Sequence, residues 1–328
     1  MPDANDSAVL DTSCRHAALM RLLRWLGPEY DPRLALGDTA DTRARTSGDR
    51  VGFVDLLPAL AGSLEIHGFA LRRHDLHDVS PVLTALVAGR TVAVDADTFH
   101  LAYYYLDYQR VHALHSITLE DFDAATSTVR VVDAVDAVFF DDRVRLADLE
   151  PALLSGQGQT WWELNAIEGG EPYGPDQLRR QLPLRVVELV GCGEPGTVSG
   201  VELATFIVDH LGEYSGTARR DSEGAGTDGA RARSASNVMW NYNHTLRWFA
   251  CFLRAVADDT RLPTAAAATA LDGSAQDWLV ARNLIMRAAV SDRSRVHRYV
   301  EKISQRLASA VEHLDHCAAA LDDLQEAV

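Results

Sequence analysis

The chain is expected to fold as an α+β protein, an antiparallel sheet with a helix ahead of it, followed by a mainly helical C-terminal domain. Three observations point there. An apolar helical run opens directly behind Cys14, two β-branched segments around residues 112–133 are joined by one short polar turn, and from Asn237 onward the apolar period is helical. With 328 residues the chain is long enough for two domains, drawn here as 1–157 for the sheet-bearing domain and 158–328 for the mainly helical domain, with a flexible loop at about 215–236.

The first helix carries Ala17, Leu19, Met20, Leu22, Leu23, Trp25 and Leu26 and stops at Gly27-Pro28. Thr12 or Ser13 can cap it, because a hydroxyl oxygen accepts first-turn N–H groups. Cys14 then stands in the first turn, where the positive end of the helix dipole favours thiolate, and Arg15 and His16 add positive charge. The alternative for Cys14 is a small buried residue, since free cysteine is among the most buried types.

Residues 29–50 are polar and read as loop, Phe53 to Ala61 as a short helix, Leu64 to Leu71 as a strand, Val79 to Ala88 as a helix ending at Gly89, and Thr91 to Asp95 as a strand. A stretch rich in tyrosine follows, with Tyr103, Tyr104, Tyr105 and Tyr108. His112 to Glu120 and Thr128 to Asp133 make a hairpin. With its turn centred near Ala124, Leu119 faces Val129, Ile117 faces Val131 and His115 faces Asp133. All six then share one side of the sheet by the two-residue period. Directly opposed Cβ atoms lie about 5 Å apart, so the imidazole and carboxylate can hydrogen-bond. His112 has the other parity and is disfavoured as the functional histidine. A histidine is the commonest general base near neutral pH, and a carboxylate on its far nitrogen sets tautomer and orientation. The alternative for His115 and Asp133 is a structural pair at a sheet end.

Beyond the hairpin, Leu146 to Leu154 reads as a helix, Trp161 to Leu164 as an aromatic core or domain-contact run, Pro183 to Val190 as a β-like run, and Ser199 to Leu211 as a helix. Helices are expected over 237–258, 274–290 and from Arg293 to the C-terminus. The last carries a heptad stripe of Val296, Val300, Ile303, Leu307, Ala310, Leu314, Cys317, Leu321 and Leu324, which would serve a homodimer.

The net charge of −16 opposes nonspecific nucleic-acid or anionic-membrane binding. No apolar run reaches transmembrane length, the N-terminus is not a signal peptide, and a cytoplasmic protein is expected. The four cysteines, Cys14, Cys192, Cys251 and Cys317, form no Cys-x-x-Cys pair. Cys251 and Cys317 fall at apolar helical positions. His67, His74 and His77 with Asp75 and Asp78 match no zinc spacing, so no metal is expected. Asn237, Asn241, Asn243 and His244 read as the exposed face of a helix. Asp95 and Asp97 follow a strand end, where site residues often sit; the alternative is a turn.

The order of Cys14 at a helix start, His115 on a strand and Asp133 on the next is that of papain-like cysteine enzymes. Together with Gly89-Arg90-Thr91-Val92-Ala93-Val94-Asp95 ahead of the tyrosines, His115 to Asp123, and Val129-Arg130-Val131-Val132-Asp133, it resembles the N-terminal domain of the butirosin-biosynthesis acyltransferase family, itself similar to bacteriocin-processing cysteine peptidases. The resemblance covers about residues 8–155. Where that family has a Gly-Tyr-Asp turn, this chain has Glu120-Asp121-Phe122-Asp123. The resemblance implies a papain-like domain that transfers an acyl group from the phosphopantetheine thioester of an acyl or peptidyl carrier protein to a small-molecule amine in natural-product biosynthesis, with no resident cofactor. It implies Cys14 as nucleophile, His115 as base and Asp133 as its orienting partner, with backbone N–H groups at the helix start binding the oxyanion. Papain-like peptidases place a Gln ahead of the cysteine, whereas the first Gln here is Gln109. The other readings are a cysteine peptidase or amidase, a thioester cyclase, and a non-catalytic dimeric binding protein.

Overall fold

The computed structural model describes residues 13–40, 43–105, 107–135, 138–155, 159–167, 174–191, 196–214, 227–291 and 293–326. In chain order the elements are α1 (Cys14–Leu26), α2 (Pro32–Gly37), β1 (Ala44–Ser47), β2 (Arg50–Phe53), α3 (Leu57–Ile66), β3 (Phe69–Asp75), α4 (Ser80–Val87), β4 (Val92–Asp97), a 3-10 turn (Thr98–His100), β5 (Leu114–Asp123), β6 (Thr128–Val135), β7 (Val138–Arg145), α5 (Leu146–Leu154), β8 (Thr160–Ala166), α6 (Pro175–Val190), β9 (Thr197–Val198), α7 (Gly200–Asp209), α8 (Leu211–Tyr214), α9 (Thr227–Thr260), α10 (Ala265–Ala289) and α11 (Arg293–Glu326). The protein is α+β, with an antiparallel sheet and a helical C-terminal region. Among the described residues no helix is long and apolar enough to cross a membrane.

Two compact units emerge, residues 1–36 with 64–172, and residues 37–63 with 173–328. The division drawn at 157 differs because the tryptophan run is a strand. β8 pairs along its whole length with β3 and also with β4, inside a six-stranded sheet of order β3-β8-β4-β5-β6-β7. Neighbouring side chains on β8 go to opposite faces. Trp161 joins the core formed with α4 and α5, while Trp162 is fully buried beneath Arg15 of α1, whose guanidinium lies 5.0 Å from the ring centroid.

The core on the first face packs Val92, Val94, Ile117, Leu119, Val129 and Val131 of β4, β5 and β6 against Val82, Ala85 and Leu86 of α4 and Leu149, Ala152 and Leu153 of α5. α4 ends as expected. Gly89 takes φ +75°, its N–H reaches Leu86 O at 2.9 Å, and the Arg90 N–H reaches Ala85 O at 3.0 Å, the Schellman arrangement that glycine permits. α1 buries Leu19, Leu22 and Leu23. It contacts β4, β5, β6 and β8, and Arg21 pairs with Glu120 of β5.

Several expectations are corrected. The supposed loop 29–50 contains α2 and β1. Leu64-Glu65-Ile66 finish a helix, and the strand begins only after Gly68, whose φ of +83° makes the turn. β7 carries no expectation at all. Pro183 to Val190 is part of helix α6, because Leu178, Leu182 and Leu189 bury one face at helical spacing and outweigh the local β-branched character. Residues 227–236 begin α9 rather than continue a loop, and residues 215–226 lie outside the described set. α10 starts at Ala265, in an alanine run of high helix propensity.

In the second unit, β2-β1-β9 form a small sheet, and α9, α10 and α11 pack in sequence. The middle of the α11 heptad stripe packs within this unit. Ile303, Leu307, Ala310, Leu314, Cys317 and Leu321 are all buried, and α11 packs on α10, α6 and α7. Val296, Val300 and Leu324, at the two ends of the stripe, are only half-buried.

Candidate active site

Helix α1 presents Cys14 as its first residue. Ser13 is the N-cap, with extended backbone (φ −64°, ψ 151°). Its Oγ accepts the His16 N–H at 3.4 Å and hydrogen-bonds His16 Nδ1 at 2.8 Å. Thr12, the alternative cap, lies outside the described residues.

The hairpin places the other two groups, though in a different register from the one expected. It closes at Asp123 opposite Thr128. The Asp123 carboxylate holds the turn by accepting from the Ala125 N–H at 2.9 Å and the Thr126 hydroxyl at 2.7 Å. The turn thus falls later than Ala124, and a bulge between Leu119 and Asp121 takes back one residue, so Leu119 pairs with Val131 and Thr118 with Val132. The net displacement is two residues, one full pleat repeat, and leaves every side chain on its expected face. His115 and Asp133 are therefore diagonal rather than directly opposed. Their side chains still meet, with Nε2 2.8 Å from Oδ2.

Both groups are buried, His115 at 5% exposure and Asp133 at 2%. With Nε2 committed to the carboxylate, Nδ1 is the nitrogen left for Cys14, which hydrogen-bonds His115 and also receives the Ser116 backbone N–H. Cys14 keeps partial exposure. Burial pushes the Cys14 thiol up, but the hydrogen bond and charge of His115, the Ser116 N–H and the nearby Arg15 outweigh it and hold the thiol below its ordinary 9.0. Burial likewise pulls His115 down, and the bonds to Asp133 and Cys14 overcome it, raising the imidazole from 6.5 to about 10. The three residues named from the sequence are brought into one hydrogen-bonded chain, with its ionisation tilted toward thiolate and imidazolium.

This tilt has a pH signature. The His115 pKa is raised on folding, so its contribution to stability is complete below about pH 6.5 and is lost as pH climbs through about 10. Cys14 runs the other way, contributing above its ordinary 9.0 and losing that contribution as pH falls through its lowered value. Alkylation of Cys14 by iodoacetamide, followed on its own peptide by mass spectrometry, is expected to be fast at pH values where an ordinary thiol is protonated. A single rise centred at the ordinary thiol value would contradict the pairing.

Around the pair lie residues to which sequence reasoning assigned no role. The Tyr104 ring sits 4.7 Å from the His115 ring. Tyr103 stacks on Phe140 at 4.0 Å and turns its buried hydroxyl toward Asp133. Burial first, and then the carboxylate's charge, push that phenol well above its ordinary value. The tyrosine cluster was visible as composition, but nothing in its spacing told which ring reaches the histidine. Asp95 is not in a turn but is a buried anchor on β4. It accepts from Ser116 Oγ at 3.0 Å and Thr160 Oγ1 at 2.8 Å, with Arg15 close by, and burial raises its pKa. It braces the strand whose Ser116 N–H meets the sulfur. A cavity of about 500 Å³ is lined by Tyr103 together with Phe99, Tyr108, Phe140 and Pro151.

The remaining candidates separate from this site. Cys317 is buried, and burial pushes its thiol up to about 12. Cys251 sits half-buried in α9, and Cys192 lies outside the described residues. His112 bonds Asp97 at 2.7 Å instead of reaching the sulfur. His74 stacks on Trp161 at 4.3 Å and bonds Glu163 at 3.2 Å. The polar patch on α9 is not an exposed face throughout, since Asn243 and His244 are fully buried. No protein-family model matches the chain, and no curated protein matches its sequence.

Proposed function

We propose that the protein is a papain-like cysteine acyltransferase, of the kind found in the butirosin-biosynthesis family, acting in the cytoplasm on a carrier-protein thioester. The reading rests above all on the Cys14–His115–Asp133 chain, in which a depressed thiol meets an elevated imidazole at a helix start. The Cys14 thiolate attacks the thioester carbonyl. First-turn N–H groups of α1 face the developing oxyanion, with the helix dipole behind them. The carbon–sulfur bond to phosphopantetheine breaks, and the departing thiolate takes the proton from His115, leaving an acyl-Cys14 and a neutral imidazole. An amine then attacks the acyl carbon. Its proton passes to His115, and the amide leaves as the thiolate–imidazolium pair re-forms. Asp133 holds the ring and keeps Nε2 protonated throughout. Phosphopantetheine belongs to the carrier substrate, so no resident cofactor is needed.

Incubation with an acyl-pantetheine thioester, followed by intact-protein mass spectrometry, tests this. One acyl group is expected on the peptide carrying Cys14, discharged as an amide when a primary amine is added. Cleavage of peptides or simple amides, with no adduct from any thioester donor, would replace transfer by hydrolysis.

A further inference from the structure

A second cluster of donors stands at the two ends of the tyrosine segment and takes no part in the chemistry above. Asp97 ends β4, His100 lies in the 3-10 turn that follows, and His112 comes just before β5. One carboxylate oxygen and one ring nitrogen from each histidine all lie within 4.8 Å of one another, the one such grouping among the described residues. Asp97 Oδ2 and His112 Nδ1 are 2.7 Å apart. Two ligands around a tetrahedral ion with bonds of about 2.0–2.1 Å sit roughly 3.3 Å from each other, so an ion would replace this hydrogen bond once the pair opens by about half an ångström.

The donors are also held from outside. Asp97 Oδ1 accepts the Phe99 N–H at 3.0 Å, and its Oδ2 accepts from Ser155 Oγ at 3.2 Å. The His112 ring stacks on Phe99 with centroids 4.2 Å apart and planes 11° apart. Outer contacts of this kind are what fix ligand orientation in metal sites. The Asp97 side chain is 8% exposed and that of His112 66%, so the carboxylate is sheltered while one side stays open to solvent.

We propose that Asp97, His100 and His112 bind one zinc-class divalent cation, with water completing its coordination. Two imidazoles and one carboxylate suit a borderline cation; calcium and magnesium prefer shells built wholly of oxygen. The ligands bracket residues 101–111, the segment that carries Tyr103 toward Asp133 and Tyr104 against His115. The ion joins the two ends of that segment and acts as a clasp beside the thiolate site.

The full chain, stripped with a chelator, is titrated with zinc against a chromogenic competitor. One equivalent is expected to bind, and His100→Ala and His112→Ala are each expected to weaken it about 10-fold or more. The cobalt-loaded protein should show no thiolate charge-transfer band, and zinc should raise the melting temperature of the wild type more than that of His112→Ala. His112 is largely exposed, so its replacement leaves the core intact. Absence of zinc binding, affinity unchanged in both histidine variants, or a cobalt–thiolate band that vanishes in Cys14→Ala would overturn the assignment.

Discussion

Cys14→Ala is expected to abolish acyl loading and lower transfer by at least about 10⁴-fold, while lowering the melting temperature only modestly. The nucleophile's contribution cannot be taken over by its neighbours, because His115 is buried behind the sulfur and Asp133 behind His115. Truncating a small, partly exposed side chain at the first helical position removes little packing, but it takes the partner from the buried His115 Nδ1, so stability should fall by about 1–2 kcal/mol. Intact mass after exposure to the thioester, read beside a thermal melt, separates the two effects. Persistence of the adduct in this variant would place the nucleophile elsewhere. Cys251→Ala, altering a helix thiol of the second unit, is the matched control.

Asp133→Ala is the second large effect. Its carboxylate is the largest raising influence on His115, and it occupies the nitrogen that the thiol does not use. Without it the imidazole loses its largest raising influence inside a buried site, its pKa falls although Cys14 still supports it, and the thiolate's counter-charge weakens. Turnover is expected to fall by about 10²–10⁴-fold. Stability should fall by about 1–3 kcal/mol, because a buried Nε2–H is left unsatisfied. Asp133→Asn separates orientation from charge. Its amide oxygen still accepts from Nε2–H, so it should retain more activity than the alanine variant, yet its Cys14 alkylation profile should move to higher pH. Equal activity in wild type and Asp133→Ala would reduce the pair to a structural contact.

The helix opening at Cys14 and the His115–Asp133 pairing were legible locally. The first depends on a cap and an apolar period, and the second on side-chain parity, which survives a two-residue error in register because the pleat repeats every two residues. The bulge near Glu120 was not legible. Glu120 there pairs with Arg130 of the neighbouring hairpin strand and with Arg21 of α1, a helix that sequence does not place beside it. Strand β8 was hidden for a related reason. Trp161 and Trp162 face opposite sides of a central strand, so both are buried and the alternation that marks a half-exposed strand disappears. Helix α6 was misread because a β-branched run near its end resembled a strand until the buried Leu178, Leu182 and Leu189 were seen to share one face.

The amino-acid order alone determined which three side chains carry the candidate chemistry, since a helix cap and a two-residue period act over a few neighbouring positions. Only the tertiary structure decided that the sulfur, at position 14, meets an imidazole at position 115, because that contact depends on how α1 lies across four strands. It likewise decided that Tyr104 covers that imidazole and that Asp97, His100 and His112 converge, since these contacts depend on the path of the chain between β4 and β5. Their physical basis is long-range packing of buried surface, which no local window of sequence contains.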